Sequence, residues 1–330
     1  MKLKFVCREP AIFFHFLDSI SNWSIHTRKS IRTYYENRFG FSERDELIIK
    51  KYIKLRKKYP WKKLDSDFYL SNNFREVHKK LSNRLSKKEH GEVKIIINHF
   101  YPNLHKVFHE WKKHIVKRKE LLKGEIKRQN LNELFREIAG FYEIKNPPKE
   151  VTVHLLVSPN KNKNSGGGGA NISPNKHITL EPHNPKSIQK KYLQSDICVI
   201  AHEILHQIED GCIRSRKDGL KKIGGKKIDL NMLNEAIADT LVPGGYLALK
   251  YRLVKRPKMH TISVKNYSKT NASTNYRVFR ENLASLIYPL TKKQLEENKS
   301  IFQGGYLQKS TQKYFAVLDA QKRAMNRFKK

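Results

Sequence analysis

Residues 202–206 read His-Glu-Ile-Leu-His, and residues 234–239 read Asn-Glu-Ala-Ile-Ala-Asp. Apolar residues recur around the first stretch with helical spacing, which predicts a helix from Ser187 to Asp210. The second stretch lies in another predicted helix, from Asp229 to Val242, with Asp229 as its N-cap. These two helices form the centre of the predicted fold.

Two histidines that are one helical turn apart can bind one metal ion. His202 and His206 are i and i+4, so both imidazoles lie on one face of the helix. Glu203 stays on that side, where it can polarise a metal-bound water without ligating the metal. Histidine nitrogens with one carboxylate suit Zn²⁺, and an open fourth position is typical of catalytic sites. The alternative is a helical pair without metal, one histidine buried and one exposed.

The second helix offers the third ligand. Glu235 and Asp239 are again i and i+4, so one helix face presents two carboxylates together. We predict that Glu235 ligates the metal. Asp239 is predicted to accept the free N–H of a zinc-bound histidine, which would set its tautomer and orientation.

An HExxH motif followed on the next helix by ExxxD resembles the gluzincins, whose thermolysin-like members carry a very similar Asn-Glu-x-x-x-Asp. The resemblance covers about residues 150–250. It implies a zinc metallopeptidase that hydrolyses a protein or peptide substrate, with His202, His206 and Glu235 as ligands and Glu203 as general base. It also implies a zincin-like core, in which a short sheet packs on the HExxH helix.

Two related families differ from this chain in identifiable positions. Glu235-Ala236 followed by Leu241-Val242-Pro243 is similar to the ImmA/IrrE-type peptidases, but their HExxH usually contains a small residue where this chain has Ile204-Leu205. The metzincin pattern needs Gly at position 209 and His at position 212. This chain has Glu209 and Cys212 there, so the metzincin interpretation is disfavoured.

Zinc peptidases commonly use one further side chain to stabilise the oxyanion that forms during hydrolysis. The residue types that serve are Tyr, His and Arg. The candidates downstream of the two helices are His260, Tyr276, Arg277 and Tyr306.

The predicted fold class is α+β, with a helical N-terminal domain, the zincin-like core and a helical C-terminal part. Asn146-Pro147-Pro148 is the strongest boundary, because consecutive prolines stop a helix. It divides the chain into a helical domain of unknown role, residues 1–146, and a metallopeptidase-like domain, residues 147–330.

Strands are expected only after this boundary. Residues 151–157 and 177–181 are rich in β-branched residues, and we predict the second strand to be the sheet edge. Residues 160–175 contain a four-glycine run and are predicted to be a mobile flap.

Four helices are predicted before the boundary. The first begins at a Ser42-x-x-Asp45 capping signal. The others span residues 67–85, 93–122 and 130–142, and Tyr101-Pro102 is expected to break the 93–122 helix.

A formal net charge of +36 suggests attraction to nucleic acid, anionic lipid or an acidic protein. The cations are scattered, and no nucleic-acid motif accompanies them. Two alternatives remain open: a basic nucleic-acid-associated protein with a structural or inactive HExxH site, and a toxin-like effector protease. Three cysteines without CxxC spacing, and no apolar run of about 18 residues, favour a cytoplasmic protein without a transmembrane segment.

Overall fold

The fold is α+β: mostly helical, with one four-stranded mixed sheet, as predicted. It is seen in a computed structural model, which describes residues 1–23, 29–59, 64–129, 131–157, 159, 167–169, 176–209, 228–257, 259, 263, 266–267 and 272–326. Two compact units divide the chain. The sheet unit comprises residues 2–125 and 150–196, and the helical unit comprises residues 126–149 and 197–330 with Met1. Each unit is built from separate stretches of the chain, whereas the sequence predicts a single division at residue 146. That division stays a prediction.

Four short strands form the sheet, in the spatial order β1-β2-β4-β3. Strands β1, β2 and β4 are mutually parallel, and β3 is antiparallel to β4. Phe5 is in register with Val153, and Val153 with Ile178, so these buried side chains line one face. The strands are β1 (Lys2–Val6), β2 (Glu150–Leu155), β3 (Gly167–Gly169) and β4 (His177–Glu181).

The sheet corrects two sequence-based expectations. β1 lies in the segment that was predicted to be helical, because a five-residue strand gives too short an alternation to stand out. The strand 177–181 exists, but it is interior, since Gly167–Gly169 pairs on its outer side. Glycines carry no side-chain pattern, so pairing within the expected flap could not be read. The rest of residues 160–175 lies outside the described residues.

Six helices belong wholly or mainly to the sheet unit. The predicted capping box is confirmed: the Ser42 side chain accepts from the Asp45 N–H at 3.2 Å, and the Asp45 carboxylate accepts from the Ser42 N–H at 2.6 Å. The helices are α1 (Glu9–Ser21), α2 (Lys29–Phe39), α3 (Glu43–Lys58), α4 (Asp65–Tyr69), α5 (Phe74–Ser82) and α6 (Lys87–Arg128).

Two predicted helices have different limits. The 67–85 helix is divided into α4 and α5, because Asn73 caps a new start by accepting from the Glu76 N–H at 3.0 Å. The expected break at Pro102 is wrong, since α6 runs through it. Pro102 is exposed while neighbours such as Phe100 and Leu104 are buried, so packing on the core side holds the helix together around the missing N–H.

The helical unit contains α7 (Leu131–Phe141), most of α8 (Lys190–Glu209), α9 (Leu230–Leu241), α10 (Tyr246–Lys250), α11 (Ala272–Glu296) and α12 (Tyr306–Asn326). α9 packs along α11. Thr240 on α9 hydrogen-bonds Thr291 on α11 at 2.8 Å, and Thr291 bonds the Tyr306 hydroxyl of α12 at 2.8 Å. This buried chain of hydroxyls links three helices.

The turn after α9 depends on a glycine. A Cβ at Gly245 would lie 1.9 Å from the carbonyl oxygen of Thr240, so no other residue fits without moving the backbone. The close approach holds the end of α9 against the start of α10. In the part of the chain that the structure describes, no helix combines the length and the apolar character that crossing a bilayer requires.

Candidate metal centre

α8 carries the HExxH motif in its last two turns. It begins at Lys190, three residues after the predicted start, and ends at Glu209. Ile204 and Leu205 are fully buried, and they anchor the helix on the side opposite to solvent. His202 and Glu203 are buried as well, at 8% exposure each, although they are polar. Buried polar groups need partners, so the surroundings of this motif decide its chemistry.

α9 brings the carboxylates. Asp229 caps its first turn as predicted, accepting from the N–H groups of Asn231 and Met232 at 3.0 and 3.1 Å. Leu233 and Ile237 are fully buried, so the helix has a defined rotation. That rotation places Glu235 beside the two histidines of α8.

Three ligating side chains converge. The Nε2 atoms of His202 and His206 lie 3.1 Å apart. Glu235 Oε1 is 3.2 Å from His206 Nε2, and its Oε2 is 3.4 Å from His202 Nε2. A tetrahedral zinc ion with bonds of about 2.0–2.1 Å keeps its ligand atoms about 3.3 Å apart, by geometry. The donor set and its spacing therefore fit zinc. Among the described residues, His202, His206 and Glu235 form the group that could hold a metal ion.

The tautomer of His202 suits a ligand. Its Nδ1 lies 3.1 Å from the backbone oxygen of Val242, and a carbonyl oxygen can only accept. Nδ1 therefore carries a proton, which leaves Nε2 as the atom directed at Glu235 and His206. Asp239 Oδ1 is 3.8 Å from the same Nδ1. The expected hydrogen bond from His202 to Asp239 is thus made to Val242 instead.

Arg280 on α11 is the residue that the sequence did not reveal. Its guanidinium binds Asp239 with two hydrogen bonds, Nε to Oδ2 at 2.6 Å and Nη2 to Oδ1 at 3.1 Å. Nη1 donates to Glu235 Oε2 at 3.0 Å. Arg280 lies 41 residues beyond Asp239 without any motif to mark it. Only the packing of α9 on α11 brings them together.

The charges at this site shift the pKa values of its groups. Burial raises the pKa of the Glu235 carboxyl, but hydrogen bonds from His202 and His206 outweigh it, and the pKa lies well below its usual range. Burial lowers the pKa of His202, and the Glu235 carboxylate more than reverses this. In the metal-free protein, Glu235 is therefore ionised, and its charge favours the protonated form of His202.

The pKa of Glu203 shifts upward, in the opposite direction from that of Glu235. Burial raises its pKa, and the nearby His202 and His206 reduce that rise without cancelling it. A carboxylate whose pKa is raised is a stronger base than an ordinary glutamate, which favours proton transfer from an attacking water.

The four oxyanion candidates are in different places. Tyr276 is on α11, one turn before Arg280; burial and then the charge of Glu235 raise its pKa to about 12, so it keeps its O–H. Tyr306 is buried against Thr291, where it is structural. Arg277 is exposed and pairs with Glu281. His260 lies outside the described residues, as does Cys212.

Comparison of the chain with known protein families, with curated proteins and with solved structures finds no match. The geometry of the site and the motif resemblance are therefore what carries the functional argument.

Proposed function

We propose that this protein is a zinc-dependent metallopeptidase, with zinc held by His202, His206 and Glu235 and with Glu203 as general base. The observation that carries the proposal is the convergence of three ligating side chains at 3.1–3.4 Å. Two helices that are far apart in sequence hold this arrangement, and one ligand has its tautomer set by Val242. A chance HExxH has no reason to acquire these partners.

Each side chain has a role in hydrolysis. Bound zinc supplies Lewis acidity, which polarises a carbonyl and makes water a better nucleophile at neutral pH. Glu203 takes the proton of the attacking water and transfers it to the leaving amine, since its raised pKa suits both steps. Tyr276 is the candidate donor to the developing oxyanion, because it is protonated and its pKa responds to Glu235.

The substrate class comes from the gluzincin resemblance. Zinc with a carboxylate base is suited to water attack on a carbonyl carbon, and the HExxH plus ExxxD arrangement resembles enzymes that cleave peptide bonds in this way. A protein or peptide is therefore the proposed substrate.

Replacement of Glu203 by Gln tests the proposal directly. We expect purified wild-type protein to contain about one zinc per chain, and the His202→Ala and His206→Ala variants to lose it. Glu203→Gln should keep the zinc and lose turnover, because the change removes the base and preserves the shape. Zinc is measured by elemental analysis, and turnover by mass spectrometry of a peptide mixture.

Glu281→Gln is the matched control: it is also a carboxylate-to-amide change, but Glu281 pairs with the exposed Arg277, and the variant should keep both zinc and turnover. Wild-type protein that stays metal-free when it is offered zinc would contradict the whole proposal. Full hydrolysis by Glu203→Gln would show that Glu203 is not the base. Loss of zinc in that variant would show that Glu203 is a ligand.

A further inference from the structure

Arg280 contacts three oxygens of two carboxylates. Two of its hydrogen bonds go to Asp239 and the third goes to Oε2 of Glu235. The two oxygens of Glu235 therefore have unequal surroundings. Oε2 accepts from the guanidinium at 3.0 Å and lies 3.4 Å from His202 Nε2, whereas Oε1 faces His206 Nε2 at the shorter distance of 3.2 Å.

We infer that Arg280 is a positioning residue that holds Glu235 by Oε2 and so presents Oε1 as a one-oxygen ligand. This inference rests on the proposed zinc site. A carboxylate can bind zinc through one oxygen or two, and hydrogen bonds to ligating side chains orient them and tune the metal. With Oε2 engaged by Arg280, the protein provides two nitrogens and one oxygen. The fourth position stays open to water or substrate.

The shape of arginine is what makes this possible. Its guanidinium is planar and presents N–H donors in a rigid fork, so the two bonds to Asp239 orient the whole group. The third donor then points at Glu235 in a set direction. Lysine has the same charge but offers a compact ammonium on a flexible chain, which cannot keep all three contacts in this geometry.

Asp239 also settles the balance of charge. A cation next to a zinc ion would repel it, and this effect alone would make removal of Arg280 favour metal binding. The Asp239 carboxylate neutralises the guanidinium at 2.6 Å, so the pair adds no net charge. The orienting effect on Glu235 is then the larger of the two, and removal of Arg280 should weaken binding.

Cobalt substitution gives a readout of this role that does not depend on activity. Co²⁺ alone is added to metal-free wild-type, Arg280→Gln, Arg280→Lys and Arg277→Gln proteins. Four-coordinate cobalt absorbs visible light more strongly than five- or six-coordinate cobalt. We expect an intense spectrum from the wild type and from Arg277→Gln, whose side chain is on the same helix but exposed. Arg280→Gln and Arg280→Lys should both give weaker bands, because Glu235 is free to bind through two oxygens.

Zinc affinity, measured by competition with a chromophoric chelator, should fall on the order of 10–100-fold in both Arg280 variants. Loss of Arg280 leaves Asp239 without its cation, so the double variant Arg280→Gln/Asp239→Asn guards against misfolding. It should give the same weak bands, with wild-type circular dichroism.

Two results would overturn the inference. One is an unchanged cobalt spectrum in Arg280→Gln. The other is a wild-type spectrum and affinity in Arg280→Lys, which would show that charge alone matters. A wild-type protein that binds neither cobalt nor zinc would instead overturn the proposed function, so the two failures can be told apart.

Discussion

Two histidine pairs in this molecule have the same separation and opposite electrostatics. In the helical unit, His202 and His206 approach within 3.1 Å at Nε2. In the sheet unit, His154 Nε2 lies 3.1 Å from His177 Nδ1, across neighbouring strands. Proximity of two imidazoles is therefore common to both pairs, and it does not by itself distinguish a metal centre.

The difference is the carboxylate. Glu235 contacts both histidines of the helical pair, and its charge raises the pKa of His202. Among the described residues, no third ligating side chain joins the strand pair. Burial and, to a smaller extent, the neighbouring His177 lower the pKa of His154 to about 3. The strand pair is thus neutral and held by one N–H···N hydrogen bond. The helical pair lies beside the Glu235 anion, which favours the charged form of His202.

Removal of Glu235 should lower zinc affinity the most, because it leaves the helical histidine pair without a carboxylate, like the strand pair. We expect Glu235→Ala to weaken zinc binding by more than the 10–100-fold that loss of an orienting partner costs. Competition with a chromophoric chelator measures this. His177→Ala, which alters the strand pair, is the control and should leave zinc binding unchanged. Near-wild-type affinity in Glu235→Ala would mean that the third ligand is elsewhere.

Replacement of Asp239 should have a smaller effect. Asn has one acceptor oxygen in place of two and no charge, so Asp239→Asn loses one of the two bonds that orient Arg280. We expect zinc affinity to fall on the order of 10–100-fold, and Glu281→Gln on α11 to leave it unchanged. A loss as large as that of Glu235→Ala would indicate that Asp239 ligates the metal itself.

The residues of the site also show which contacts could be predicted from the sequence and which could not. The pairing of His202 with His206, and of Glu235 with Asp239, follows from spacing, because helices place i and i+4 side chains together wherever they lie in the fold. The capping signals at Ser42 and Asp229 are local too, and both are confirmed. Arg280 depends on α9 packing along α11, which no local pattern encodes.

The same distinction applies to the sheet and the long helix. β1 and β3 are recognised by what they pair with, and a single strand of Lys2–Val6 or three glycines has no signal alone. The continuity of α6 through Pro102 likewise depends on the buried neighbours that hold its two halves in line. Interactions within a helical turn can be predicted from the sequence, whereas interactions between distant segments cannot.

The lowered pKa of His154 in the strand pair should make the stability of the protein depend on pH. His154 has a folded pKa of about 3 and an unfolded value of about 6.5, so between these values the unfolded chain binds more protons. Stability from this group is complete above pH 6.5 and is lost as the pH falls toward 3. At pH 5 the loss amounts to about 2 kcal/mol, from about 1.5 pH units at 1.36 kcal/mol each.

His154→Gln removes this titration. We expect the free energy of unfolding, measured with urea on metal-free protein, to fall between pH 7.5 and pH 5 by about 2 kcal/mol less in the variant than in the wild type. His109→Gln, on an exposed face of α6, is the control and should fall as the wild type does. The metal site titrates equally in all three proteins, so it cancels from the difference. An identical pH dependence in the wild type and His154→Gln would mean that His154 is not held neutral by burial. The contrast between the two pairs would then reduce to the presence of Glu235 alone.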